Sequence, residues 1–194
     1  IMNDKAHISY HTARRFLIDL IKNNDFSGDE EIIKLLHSIL QGKSCLNYFT
    51  DGVVSRVHID KETRIFLLDY SDQEVKMPCL PKTVFLLFLI HPEGVNFKGM
   101  RAYLQELYNI YQIVMKKNIE ADKIRQILGN LVDPMSNSIY EACSIIRNRL
   151  LKVAGPSRMK FYDITGKRGG CHHIKLDRQL VTVEHEKLRK MMNR

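Results

Sequence analysis

Cysteine is sparse in this chain of 194 residues: four stand at positions 45, 79, 143 and 171, and no two make a CxxC pair. That spacing argues against a disulfide framework and against a zinc site, and leaves four free thiols. Long apolar runs are missing as well. The longest, Val84 to Ile90, falls far short of the roughly 20 residues that a bilayer demands. No charged, apolar, small-residue signal pattern opens the chain, so a cytoplasmic protein with no membrane partner is expected. The motifs of catalysis are also lacking: no nucleophile elbow, no phosphate-binding glycine loop and no convergent carboxylate pair. No enzyme and no cofactor is expected. The triplet Cys171-His172-His173 invites a metal, but consecutive strand residues point to alternate faces and cannot converge on one ion, so no metal is assigned.

What is present is a core and a displaced charge. Hydrophobic residues make up 44% of the chain, enough to bury a real core, and the net charge is +8. Residues 136 to 194 carry 13 Lys and Arg against 5 Asp and Glu, whereas residues 1 to 135 are balanced. Such segregation suits a polyanion-binding surface, because each phosphate neutralised releases condensed counterions.

Periodicity divides the chain into three stretches. Residues 1 to 46 read as two amphipathic helices, with Phe16, Leu17, Leu20 and Ile21 on one face and Ile32, Ile33, Leu36, Ile39 and Leu40 on another. Ser27 to Glu30 fits a capping box. So short a segment needs a partner, and a homodimer through it is expected. Residues 47 to 183 form the main domain. Val57 and Ile59, Ile65 and Leu67, and Val75 and Met77 alternate as three short strands of an antiparallel meander. A buried helix follows Pro81, His91 to Gly94 turn the chain, and Asn96 caps a helix with Phe97, Met100, Leu104, Leu107, Tyr111 and Val114 on one side. A further helix near 118 to 131 buries Ile124, Ile127, Leu128 and Leu131 and ends at Asp133-Pro134. Residues 184 to 194 are a basic carboxy-terminal extension.

The helix from Ser138, with Glu141 as a capping-box partner, places Ile139, Ala142, Cys143, Ile146, Leu150 and Val153 on a core stripe. The opposite face shows Tyr140, Glu141, Ser144, Ile145, Asn148 and Lys152, and Arg147 and Arg149 fall on the flanks. Flanking arginines can reach phosphates on either side of a groove while short polar groups meet base edges. After Gly155-Pro156 the chain reads as extended through Met159, Phe161 and Ile164. It then turns at Gly166 to Gly170, where three glycines supply positive φ and leave Lys167 and Arg168 projecting.

Four stretches in this order, Pro81-Lys82, Pro92-Glu93-Gly94, Ile146-Arg147-Asn148-Arg149-Leu150 and Arg168-Gly169, resemble the winged-helix output domain of OmpR/PhoB-type response regulators. The resemblance covers roughly residues 50 to 177. It implies an α+β winged helix-turn-helix with an amino-terminal antiparallel β meander and a carboxy-terminal β-hairpin wing, here preceded by two helices. It implies sequence-specific binding of double-stranded DNA by a transcriptional regulator. The recognition helix would offer Tyr140, Ser144, Arg147, Asn148, Arg149 and Lys152, and the wing Lys167 and Arg168. Two departures limit what carries over. Residues 1 to 46 are too few for the family's receiver domain, so no phosphoacceptor is assigned. An extra helix between Tyr108 and Asn137 lies where relatives contact RNA polymerase, so that contact is not assigned either. Glu141 on the DNA face repels phosphate but has its capping role. A second reading stays open: winged helices also serve as protein-interaction modules, and residues 178 to 194 could cover the reading surface.

Overall fold

The computed structural model describes residues 23, 29–33, 54–115 and 119–192. The chain divides into two compact units, 1–51 and 52–194. In the first, residues 30–33 are helical, and Asp29 is the cap: its Oδ1 accepts from the backbone N–H of Glu31 and of Ile32, each at 3.1 Å. Asp29 thus takes the capping role expected of Ser27. The apolar faces expected at 16–21 and 36–40, and with them the dimer contact, lie outside the described residues.

The second unit is mixed α+β. Strands β1 (Val57–Ile59) and β2 (Ile65–Leu67) pair antiparallel with Val57 opposite Leu67 and Ile59 opposite Ile65, and these four side chains are fully buried. Asp60 closes the turn between them by accepting from the N–H of Glu62 and of Arg64 at 2.9 and 2.8 Å. The third strand of this sheet corrects the expected meander. Val75 gives one hydrogen bond to Ile65 (2.7 Å), but the third strand is β6 (Val181–Val183), which runs parallel to β1.

Helix α1 (Cys79–Ile90) starts with Pro81 in its first turn and is buried at every position from Pro81 to Ile90, as an all-round apolar helix must be. Lys82 is tolerated there because its Nζ reaches Glu74 at 3.6 Å. The chain turns at Gly94, whose φ is +96°; a Cβ there would stand 2.8 Å from the His172 carbonyl oxygen, so only glycine lets the two segments approach. Strand β3 (Val95–Asn96) leads into a 3-10 segment, Phe97–Tyr103, continued by helix α2 (Leu104–Val114). Asn96 caps it as expected, its Oδ1 accepting from Lys98 N–H at 2.9 Å. Helices α3 (Ala121–Val132) and α4 (Ser138–Ala154) follow. Ser138 does not form the expected box with Glu141; its N–H and hydroxyl instead engage Ser136 Oγ at 3.1 and 2.7 Å.

After α4 the chain makes a 3-10 turn at Met159–Phe161 where extended structure was expected. Strands β4 (Ile164–Gly166) and β5 (Cys171–Ile174) then form a hairpin, and β3 joins its far side in the order β3-β5-β4. Helices α2 and α4 both pack on α1. Residues 184–192 are no loose extension: helix α5 (Glu186–Met192) packs on α1 and β6 and buries Leu188 and Met192. Among the described residues no helix is long and apolar enough to cross a membrane.

Candidate functional site

The core stripe of α4 is Ile139, Ala142, Ile146, Leu150 and Ala154, all buried, with Cys143 and Val153 half-buried beside it. Every other polar position on the helix therefore faces out. Tyr140 is 58% exposed, Ile145 is 36% exposed, and Glu141, Ser144, Arg147, Asn148, Arg149 and Lys152 are exposed with them. The two flanking arginines differ. Arg147 donates from Nη1 to Asp163 Oδ2 at 2.6 Å, and Asp163 is buried at the entry to β4. This pair ties the middle of α4 to the base of the hairpin, so Arg147 holds a position as well as carrying a charge. Arg149 and Lys152 have no ion pair among the described residues.

The hairpin holds its tip by sterics as much as by hydrogen bonds. Gly170 N–H donates to the Lys167 carbonyl at 2.9 Å, and Lys167 and Arg168 are exposed. Of the three tip glycines expected to need positive φ, only Gly169 has it, at +78°. Gly166 is needed for room instead: a Cβ there would collide with the Cys171 carbonyl oxygen and stand 2.8 Å from His172 Cα.

Between the hairpin, the start of the 3-10 segment and the first turn of α4 lies an open cleft of about 660 Å³. The Phe97 ring stacks on His172, with centroids 3.9 Å apart and planes 8° from parallel, and meets Tyr140 edge-on at 5.4 Å. Asn96 Nδ2 donates to the Gly169 carbonyl at 3.0 Å, fixing the tip against the helix start. Lys98 and Arg168 stand on opposite walls of this cleft. Burial, with the neighbouring His173, pushes the His172 imidazole below its ordinary value, so it stacks as a neutral ring near pH 7.

Thus Tyr140 and Arg168 share one cleft, while Ser144, Asn148 and Lys152 continue along the helix from it. Sequence reading missed Lys98, Phe97 and His172. Their signal is non-local, because only the pairing of Val95 with His172 and of Asn96 with Cys171 brings them together. Asn96 was legible as a cap but not as the latch of the hairpin.

The thiol groups offer little chemistry. Burial, then the charge of Asp163, pushes Cys143 up to about 12, and Cys171 is exposed on β5 without a partner set. Among the described residues no three His, Cys, Asp or Glu side chains gather in a way that would hold a metal. The arrangement is one of exposed donors, acceptors and cations around a groove, suited to a polyanion with readable edges. Comparison with protein-family models, with curated proteins and with solved structures finds no match to this chain.

Proposed function

We propose that residues 52–194 form a winged-helix module that binds double-stranded DNA in a sequence-specific way, and that the protein is a transcriptional regulator. Helix α4 is the recognition helix and the β4–β5 hairpin the wing. The observation that carries this reading is the exposed polar face of α4 running into a cleft whose other wall is the cationic hairpin tip. The order of elements supports it: α1, then β3 stitched to the hairpin, then α2, then α4 packed on α1. So does the place of α5, which packs on α1 and β6 and leaves the face of α4 in solvent. That removes the covering element on which the protein-interaction reading relied.

The roles follow from reach and rigidity. Ser144 and Asn148 sit in the middle of the exposed face, where a side-chain amide can pair with adenine in the major groove. Glu141 can accept from the exocyclic amine of cytosine. Lys98, Arg149, Lys152, Lys167 and Arg168 face phosphates, which carry affinity but no sequence. Arg147 orients the helix through Asp163.

The test compares Asn148→Ala with the double variant Lys167→Ala/Arg168→Ala on a selected site and on a scrambled duplex. Asn148→Ala should lose roughly 1 to 3 kcal/mol on the selected site and little on the scrambled one. The wing variant should weaken both alike. If neither variant changes binding, the DNA reading fails and a protein-interaction module takes its place.

A further inference from the structure

The cations of the carboxy-terminal segment do not all serve the α4 side of the molecule. A second cleft, of about 500 Å³, lies between the far end of α2 and helix α5. Gln112 and Ile113 line one wall; Lys187, Lys190 and Met191 line the other, with His185 at the start. From Lys98, in the first cleft, to Gln112, in this one, the chain runs through roughly 20 Å of helical path. The two clefts therefore flank opposite ends of the same helical stretch, and a duplex seated on α4 and the wing leaves the second unexplained.

Its chemistry is specific in three respects. No carboxylate lines it, and among the described residues neither Lys187 nor Lys190 has an ion pair. Glu186 lies outside the lining. The lysines are three apart on α5, so they stand one turn apart on the same edge. Between them and α2 the floor is apolar, made by the half-buried side chains of Ile113 and Met191, and methionine adapts its shape to an incoming group. A DNA backbone would meet the lysines but would leave that floor without a partner. A peptide helix that carries carboxylates one turn apart and an apolar side chain between them satisfies both.

We infer that the α2–α5 cleft is a second docking surface, for an acidic amphipathic helical segment of a partner protein. Lys187 and Lys190 pair with its carboxylates, and Ile113 and Met191 receive its apolar anchor. Binding there does not depend on the DNA reading, and both partners are accommodated at once.

The experiment uses the full chain and a fluorescein-labelled helical peptide with leucine at every third or fourth position and glutamate between. Versions with Glu→Gln and Leu→Ser serve as controls. Fluorescence anisotropy should show saturable binding of the parent peptide and at least tenfold weaker binding of each control. Lys187→Glu/Lys190→Glu should weaken the parent peptide at least tenfold, and Lys187→Gln/Lys190→Gln should weaken it less. Both pairs are exposed, and circular dichroism checks that the fold is kept. Lys167→Ala/Arg168→Ala should leave peptide binding unchanged, and the charge-reversed chain should keep its wild-type response to duplex, whether or not that response is binding. The inference is overturned if the parent peptide does not bind, if charge reversal at 187 and 190 has no effect, or if the wing variant loses the peptide equally.

Discussion

A single imidazole shows how this fold uses charge. His91 ends α1 with Nδ1 at 2.7 Å from Glu93 and Nε2 at 2.8 Å from Glu106, which links the turn after α1 to the first turn of α2. Burial alone would lower its pKa, but the hydrogen bonds to Glu106 and Glu93 outweigh it and hold the ring above its ordinary value. A raised histidine contributes stability that is complete below the unfolded value, about 6.5, and is lost as pH rises through the folded one. The melting temperature should therefore fall between about pH 6 and pH 8, and His91→Gln should flatten that fall. Equal slopes for the two proteins would contradict the clamp. Tyr162 is the second such residue. Its buried hydroxyl donates to the Ser55 carbonyl at 3.0 Å and lies 3.2 Å from the Tyr70 hydroxyl, which accepts from Ser55 N–H at 3.1 Å. Tyr162→Phe leaves that carbonyl dry and unpaired, and urea unfolding should show a loss of about 1 to 3 kcal/mol. A loss below about 0.5 kcal/mol would mean that water replaces the phenol. Neither role was legible in sequence, because each depends on partners from other elements.

At the scale of elements, what could be read was whatever repeats locally. The alternation of Val57, Ile59, Ile65 and Leu67 located β1 and β2, and the stripe of Ile139, Ala142, Ile146 and Leu150 located the face of α4. What could not be read was pairing at a distance. Val181–Val183 adds to β1 across more than a hundred residues, and nothing in the local pattern distinguishes it from the nearer candidate at Val75 and Met77. Helix caps were also misread at Ser27 and Ser138, since Asp29 and Ser136 compete for the same backbone donors with equally short side chains. The tip glycines were recognised, but the reason for Gly166 was steric and not conformational. Gly166→Ala should therefore loosen the hairpin, seen as faster amide exchange at His172 and Ile174. Gly170→Ala should be mild, since its added carbon meets nothing nearer than the Lys167 oxygen at 3.4 Å. Equal exchange in the two variants would contradict the steric account.

For the molecule as a whole, segregation of charge along the sequence becomes segregation in space only in part. Lys152, Lys167 and Arg168 gather with Arg149 and Lys98 around α4 and the wing, while Lys187 and Lys190 stand with α5 at the other cleft. Arg147, expected to be a free flanking charge, is committed to Asp163. Five cations on the α4 side should thus set the electrolyte dependence of duplex binding, rather than all 13 in the carboxy-terminal stretch. The most direct test is the affinity for a random duplex measured by fluorescence anisotropy from about 50 to 300 mM salt. With a release of about 0.9 counterions per phosphate contact, the account predicts a log–log slope of about −4 to −5, reduced by about 2 in Lys167→Ala/Arg168→Ala. No binding at the lowest salt, or a slope near zero, would contradict it.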